Sequence, residues 1–201
     1  MTPDTELVLA SASPFRAALL ENAGLTFEAL PADVDERAIE TSIQGSGLDG
    51  ADLAELLAMA KAQEVSARRP GAFVIGGDQT LTFDNEQLHK PENMDAARRQ
   101  LLRLSGQTHR LHAALCLIKD GALLWQHTGV ADLTMRDLEP AYIGRHLSQV
   151  GDAALTSVGA YQLEGPGVQL FDRIEGDYFT ILGLPLLPLL AALREQGVID
   201  G

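Results

Sequence analysis

Two short segments of the sequence carry residue types that could bind and activate a phosphate group. The first is LASASPFR at residues 9–16, where an apolar run gives way to small hydroxyl residues and Pro14 is placed to open a helix. The free N–H groups at the start of a helix bind anions, and Ser13 and Arg16 would add a hydroxyl and a planar guanidinium. The alternative is a plain Ser13 helix cap followed by a solvated arginine, and this segment alone favours it.

The second segment is FVIGGDQT at residues 73–80, in which Asp78 directly follows an apolar strand and two glycines. The carboxyl ends of strands hold ligands in α/β folds, and the glycines allow a substrate to approach closely. Carboxylate oxygens suit Mg²⁺, and the cluster DVDE at residues 33–36 offers more of them. A solvated acidic loop explains that cluster equally well, whereas Asp78 is predicted to be functional. A P-loop is excluded because no Lys-Ser or Lys-Thr follows the glycines.

Two lysines are further candidates for phosphate contacts: Lys61 on the border of an apolar helix face, and Lys90 in the tripeptide HKP. A surface lysine with a packed stem would explain either one alone. Other reactive residue types are predicted to be structural. His109 and His112 are three residues apart on a predicted strand and so point to opposite faces, and Cys116 lies in an apolar run typical of a buried thiol.

Hydrophobic periodicity and turn residues predict strands interleaved with helices. Helices are predicted from Pro14 to Gly24 and at residues 53–64, 94–104, 139–150 and 185–196. Strands are predicted at residues 6–10, 26–30, 73–77, 79–83, 108–119, 122–135, 168–174 and 178–182, with turns at Asp84-Asn85 and Asp120-Gly121. Residues 41–50 are predicted to form a mobile loop. The pattern indicates an α/β fold, as one domain over residues 1–201, with a mixed curved sheet flanked by helices and two lobes around a central cleft.

The composition limits the classes of partner. A formal charge of −13 over 201 residues argues against a nucleic-acid polymer, although a small polyphosphate stays compatible with a local basic site. The N-terminus lacks the pattern of a secretory signal, and the most apolar late stretch is interrupted by Pro185 and Pro188. We therefore expect a cytoplasmic protein with no membrane partner.

Taken together, these segments resemble the Maf family of nucleoside triphosphate pyrophosphatases, which is related in fold to the inosine-triphosphatase-like enzymes. The resemblance covers LASASPFRAALL, DVDE, LAMAKA, VIGGDQTL, HKP, LLRLSGQTHRLHAAL, VGAYQLEG and LFDRIEGDYFTILGLPL, in order along the chain. It implies hydrolysis of a nucleoside triphosphate to the monophosphate and pyrophosphate. It also implies Asp78 as the proton acceptor, Mg²⁺ or Mn²⁺ held by Glu36 and Asp78, and substrate contacts from Ser13, Arg16, Lys61 and Lys90.

Three positions resemble the family branch that hydrolyses 7-methyl-GTP. This chain has Phe15, Gln79 and Glu164 where the pyrimidine-hydrolysing branch has Arg, Thr and Gln. N7-methylation makes guanine cationic, which favours stacking on an aromatic ring, and a carboxylate could accept the ring and exocyclic N–H groups. The structural alternative is that Phe15 anchors the core and that Glu164 is a salt-bridged loop acid.

The resemblance predicts 7-methyl-GTP as the substrate and removal of modified nucleotides from the pool as the role. Two alternatives stay open: a dTTP or UTP pyrophosphatase of the same family, and a non-catalytic nucleotide-binding regulator of cell division. The oligomeric state is also open, with a homodimer as one option.

Overall fold

The computed structural model describes residues 6–200, which contain one seven-stranded sheet and seven α-helices. The strands are β1 (Leu7–Ala10), β2 (Glu28–Ala29), β3 (Phe73–Phe83), β4 (Glu86–Leu88), β5 (Thr108–Lys119), β6 (Ala122–Met135) and β7 (Phe171–Glu175). The helices are α1 (Pro14–Asn22), α2 (Glu36–Ile43), α3 (Gly50–Arg68), α4 (Met94–Leu104), α5 (Pro140–Val150), α6 (Tyr178–Ile181) and α7 (Leu186–Glu195). Two 3-10 helices cover Gly151–Leu155 and Pro166–Leu170.

The sheet is mixed. Its strand order is β2-β1-β3-β5-β6-β7, and β4 pairs with β3. Strand β1 runs parallel to β2 and β3, whereas β3–β4 and β6–β7 are antiparallel. The predicted mixed sheet flanked by helices is confirmed. None of the helices within residues 6–200 combines the length and the apolar composition that a membrane crossing requires.

The described chain divides into two compact units. The first comprises residues 6–79, 112–129 and 177–200, and the second comprises residues 80–111 and 130–176. The chain passes from one unit to the other within β3, within β5 and within β6, and a fourth time between β7 and α6. The central cleft and the single functional domain stay predictions.

In the first unit, helices cover both faces of the parallel strands. Leu9 and Ile75 pack in a cluster with residues of α1 and α7, whereas Val8 and Val74 pack with α3. This two-sided burial explains why the strands are continuous apolar runs rather than alternating patterns. It also places the carboxyl end of β1 and the middle of β3 at the edge where α1 begins.

In the second unit, α4 and α5 pack together, and a small aromatic cluster completes the core. The Tyr161 hydroxyl and the Nε2 atom of His109 share a hydrogen bond of 2.7 Å, and the Phe171 ring meets the Tyr161 ring edge-on. Burial lowers the pKa of His109 to about 4, so this histidine is neutral and structural at neutral pH.

Several elements lie where the sequence predicts them. Helix α4 has the predicted bounds, and β5 and β6 form the predicted hairpin around a turn in which Asp120 and Gly121 have positive φ angles. Asp84 and Asn85 have positive φ in the turn between β3 and β4, as the sequence indicates. Cys116 is buried as predicted, and burial raises the pKa of its thiol to about 12.

Four predictions of local structure are wrong. The strands predicted at residues 73–77 and 79–83 form one continuous strand, β3, so Asp78 lies inside a strand rather than directly after one. Residues 36–43 form α2, so residues 41–43 of the loop predicted at residues 41–50 are helical. The Asp35 side chain accepts a hydrogen bond from the Ala38 N–H (3.0 Å) and caps this helix. Residues 178–181 form α6 instead of a strand, because Asp177 caps the N–H of Thr180 (2.9 Å). Residues 166–170 form a 3-10 helix, so β7 begins at Phe171 and not at residue 168, where the predicted strand began.

Candidate active site

The first unit contains most of the residues singled out from the sequence. Ser13 and Phe15 lie at the start of α1 with Arg16, Glu36 begins α2, Lys61 lies on α3, and Asp78 and Gln79 lie on β3. Lys90 and Glu164 belong to the second unit. The residues of the first group lie within one unit, whereas the roles of Lys90 and Glu164 in one site with Asp78 stay predictions.

The segment at the end of β1 is held by two serine hydroxyls. Ser13 Oγ accepts a hydrogen bond from the backbone N–H of Arg16 at 3.4 Å. Ser13 therefore caps α1, which was the structural alternative to a phosphate-binding role. Ser11 Oγ accepts the backbone N–H of Ser13 at 3.2 Å, which fixes the turn that precedes the helix. Pro14 occupies the first turn of the helix, where its missing N–H costs no hydrogen bond.

Arg16 is not a solvated residue, because only 8% of its surface is exposed. Its Nε–H donates to the carbonyl oxygen of Gly183 at 2.7 Å, and its Nη1 donates to Ser11 Oγ at 3.1 Å. Burial lowers the pKa of Arg16, and the nearby charges of Asp78 and Glu36 oppose that shift. A buried guanidinium with fixed partners is a preorganised donor for an anion.

The two glycines before Asp78 allow other elements to approach β3. A side chain at Gly76 would collide with the Ala58 carbonyl oxygen, and one at Gly77 would lie 3.4 Å from the Arg16 side chain. Helix α3 therefore packs directly against β3, and Lys61, one turn after Ala58, reaches Asp78. The two glycines allow α3 and the Arg16 side chain to approach β3 closely. The sequence alone did not distinguish this close packing from access for a substrate.

Lys61 joins the two carboxylates that were predicted to hold a metal. Its Nζ contacts Oδ1 of Asp78 and lies 2.8 Å from Oε1 of Glu36. The side chains of Lys61 and Asp78 are only 13% and 11% exposed, whereas that of Glu36 is 49% exposed. The structure thus rules out the explanation of Lys61 as a surface lysine with a packed stem.

The carboxylates of Glu36 and Asp78 lie close enough together to share one cation, because both contact the ammonium group of Lys61. In this respect the pair fits a divalent cation. Within residues 6–200 no group of three or more His, Cys, Asp or Glu side chains is arranged to hold a metal. Mg²⁺ is commonly held by one or two carboxylates together with water and substrate phosphates. Glu36 and Asp78 match such a site only where water and a bound ligand supply the remaining oxygen atoms.

Gln79 is held by the backbone of α6, which lies about a hundred residues further along the chain. Its Nε2 donates to the carbonyl oxygens of Thr180 (3.2 Å) and Ile181 (2.9 Å). These two acceptors fix the orientation of the amide and leave Oε1 as the atom that can accept a hydrogen bond from a ligand. The Oε1 atom lies 3.5 Å from the position a Cβ would take at Gly183.

Gly183 is a site residue that the sequence analysis missed. It has φ of +86°, its carbonyl accepts from Arg16, and a Cβ there would face both Arg16 and Gln79. The signal was present in the sequence, since a glycine that ends a helix typically adopts positive φ. It was hidden because residues 178–182 were predicted to be a strand.

The remaining predicted residues are less constrained. Phe15 is half-buried on α1, and Lys90 and Glu164 are exposed. Glu164 lies in a loop that also contains Gln162. The side-chain amide of Gln162 donates hydrogen bonds to the carbonyl oxygen of Ala153 (3.3 Å) and to Thr156 Oγ1 (2.8 Å). These bonds anchor the loop within the second unit.

The second unit also contains a cavity of about 230 Å³. His146, Tyr161 and Gln162 line it, together with residues of α5 and the two 3-10 helices. None of the predicted site residues lines this cavity. The chemistry of the chain therefore points to the charged cluster of the first unit rather than to this cavity.

Comparisons with known proteins agree on one family. A family model described as Maf-like protein matches residues 6–196. A relative from Mesorhizobium japonicum, named 7-methyl-GTP pyrophosphatase, is 62% identical over 196 residues, which are 98% of each chain. A relative of the same name from Brucella abortus is 59% identical over 98% of each chain. One from Nitrobacter hamburgensis, named nucleoside triphosphate pyrophosphatase, is 54% identical over 96% of this chain and 95% of that relative.

Among solved structures, one from Mycobacterium abscessus is described as a nucleoside-triphosphatase / dITP/XTP pyrophosphatase. It matches with a TM-score of 0.44 at 14% identity, over 96% of this chain and 95% of that one.

Proposed function

Because the chain belongs to the Maf family, we propose that it hydrolyses a nucleoside triphosphate to the monophosphate and pyrophosphate, with 7-methyl-GTP as the substrate. The observation that carries the proposal is the cluster formed by the buried side chains of Arg16 and Asp78 with the partly buried Lys61 of α3, beside the carboxyl end of β1. Relatives at 59% and 62% identity that are named 7-methyl-GTP pyrophosphatase support the choice of substrate. We place the reaction in the cytoplasm, where a soluble nucleotide pool is available.

Asp78 is the group that accepts the proton in the proposed reaction. A water oxygen forms a bond to the α-phosphorus, the bond from that phosphorus to the bridging oxygen of the β-phosphate breaks, and pyrophosphate leaves with the electron pair. One carboxylate oxygen of Asp78 takes the proton of the water, while the other faces the cationic side of the site. No covalent intermediate with the protein is needed.

The cations of the site bind and orient the phosphates. Arg16 is fixed by Gly183 and Ser11 before a ligand arrives, so its charge needs no rearrangement when negative charge shifts toward the leaving group. Lys61 and Lys90 supply mobile ammonium groups for the β- and γ-phosphates. Ser13 lies at the start of α1, where backbone N–H groups would face a phosphate. A divalent metal at Glu36 and Asp78 would neutralise charge on the phosphate oxygens when bound.

Base selection is assigned to three side chains. Phe15 offers a half-buried aromatic face to the cationic ring of 7-methylguanine. Gln79 offers a fixed Oε1 acceptor for an N–H group of the base, because its amide N–H groups are already bonded to Thr180 and Ile181. Glu164 supplies a carboxylate for the remaining N–H donors.

Product analysis tests this proposal. The purified protein is incubated with 7-methyl-GTP and Mg²⁺, and nucleotides are separated by anion-exchange chromatography. We expect 7-methyl-GMP and pyrophosphate in equal amounts and no product from an Asp78→Asn protein prepared in parallel. Formation of 7-methyl-GDP and orthophosphate would contradict the assigned bond cleavage, and absence of any product would contradict the proposed activity.

A further inference from the structure

Lys61 occupies a position that two anionic groups already define. Its Nζ contacts Asp78 Oδ1 and lies 2.8 Å from Glu36 Oε1, so one ammonium group serves both carboxylates. These are the two carboxylates to which the proposed function assigns the divalent metal. A metal that uses both must therefore compete with the charge of Lys61.

The backbone of Lys61 cannot move away to make room. Its neighbour Ala62 is fully buried, and α3 is pressed against β3 at Gly76, where even a methyl group would collide with the helix backbone. Only the flexible lysine stem can redirect the ammonium group. The Nζ atom can therefore exchange one set of oxygens for another while the fold stays unchanged.

The charges of the site are balanced without a ligand. Asp78 and Glu36 contribute two negative charges, and Arg16 and Lys61 contribute two positive charges. A divalent metal alone would leave two excess positive charges in a site where Arg16 is buried, whereas a metal that arrives with a triphosphate brings its own anions. Uncompensated charge in a partly buried site is unfavourable, so metal and nucleotide should favour each other's binding.

We propose that Lys61 acts as an internal cation that keeps Glu36 and Asp78 from binding a divalent metal until a nucleotide is present. The triphosphate draws Nζ onto its phosphate oxygens, and the released carboxylates then bind the metal. This inference rests on the proposed function, since it assumes that a triphosphate is the ligand. It gives Lys61 two roles, as a substitute for the metal in the free protein and as a phosphate contact in the complex.

A Mn²⁺ titration without nucleotide tests the first role directly. Free Mn²⁺ is measured by its electron paramagnetic resonance signal in the presence of the wild-type protein, Lys61→Met and Lys119→Met. We expect Lys61→Met to bind Mn²⁺ at least about tenfold more tightly than wild type, since coupling between sites typically reaches factors of about 5 to 150. The gain should disappear in the Lys61→Met, Glu36→Gln double variant.

Lys119→Met is the matched control. It removes the same charge from the same unit, but Lys119 lies over the ring of Phe73, which is five residues before Asp78 on β3 and so about 17 Å away. Its Mn²⁺ affinity should equal that of wild type. An equal gain in Lys119→Met would reveal a general charge effect and overturn the proposal, as would unchanged or weaker Mn²⁺ binding by Lys61→Met.

Circular dichroism spectra and melting curves establish that each variant is folded, and Lys61→Gln replaces Lys61→Met if the latter does not fold. The titration uses no nucleotide, so its outcome is independent of turnover. A wild-type protein that fails to hydrolyse 7-methyl-GTP would contradict the proposed function. The Mn²⁺ titration would still show whether Lys61 keeps Glu36 and Asp78 from binding a divalent metal.

Discussion

Arg16 donates its Nε–H to the carbonyl oxygen of Gly183 at 2.7 Å, although the two residues are 167 positions apart. The bond ties the segment after β1 to the turn after α6. Gly183 can form this turn because its φ of +86° suits a residue without a side chain. The direction of the Arg16 guanidinium thus depends on a glycine near the other end of the chain.

Gly183→Ala should therefore weaken substrate binding as well as stability. An alanine at positive φ costs roughly 1–2 kcal/mol, and a strained turn would shift the carbonyl that orients Arg16. We expect the free energy of unfolding to fall by about that amount and KM for the triphosphate to rise severalfold. Urea denaturation and initial-rate kinetics measure the two effects.

Gly197→Ala provides the control for this prediction. Gly197 has φ of +66°, and no atom lies within 4 Å of the position that a Cβ would take there, so alanine suffers the same backbone strain away from Arg16. This variant should lose similar stability with unchanged KM. Equal kinetic effects in both variants would show that the Gly183 carbonyl does not position Arg16.

Asp78→Asn should abolish turnover while the protein stays folded. The Asn amide cannot accept the proton of the attacking water and cannot replace an anionic metal ligand. The Asn side chain has nearly the same volume as that of Asp, so it fits the space that Asp78 occupies. Pyrophosphate release at saturating Mg²⁺ is the measurement, with Asp84→Asn in the exposed β3–β4 turn as the control. Near wild-type rates for Asp78→Asn would show that another group accepts the proton.

Lys61→Ala and Lys90→Ala should differ in stability although both remove one lysine charge. Loss of Lys61 leaves the buried Asp78 carboxylate without its closest cation and should cost about 1–3 kcal/mol. Lys90 is exposed, so its replacement should change the free energy of unfolding by no more than about 0.5 kcal/mol while it raises KM. Denaturation curves and KM values for the pair distinguish the two environments, and equal losses of stability would contradict them.

Stability should fall as the pH falls from 6.5 toward 4, in part because of His109. Burial lowers its pKa from 6.5 to about 4, so the unfolded chain binds more protons than the folded chain in that range. The full effect is roughly 3 kcal/mol, of which roughly 2 kcal/mol is lost by pH 5. Urea denaturation at pH 7.5 and pH 5 should show a smaller pH effect in His109→Gln, and identical pH effects would contradict a neutral buried His109.

The sequence predicted what is local. Helix α4 follows from hydrophobic periodicity, and the β5–β6 hairpin follows from its turn residues. Asp78 was expected at the end of a strand, but it lies inside β3, which continues from Phe73 to Phe83. Helices α2 and α6 were missed because each is short and depends on a single aspartate cap, Asp35 or Asp177, rather than on an apolar face.

The sequence did not reveal long-range partners. Lys61 looks like any lysine on a helix border, and its contact with Asp78 exists only because Gly76 lets α3 approach β3. Likewise, nothing local to Gln79 indicates that its amide is bound by carbonyl groups of Thr180 and Ile181. Such pairings arise from tertiary packing, and the family resemblance supplied the residue roles that the local patterns left open.

The proposed preference for a cationic purine nucleotide is tested most directly by the ratio of kcat/KM for 7-methyl-GTP to kcat/KM for dTTP and UTP. We predict a ratio well above one for the wild-type protein, since stacking of one base is worth about 1–3 kcal/mol. The Phe15→Arg, Gln79→Thr, Glu164→Gln triple variant should shift preference toward the pyrimidines, and Glu164→Gln alone should lower the rate with 7-methyl-GTP. A wild-type protein that prefers dTTP or UTP would contradict the claim.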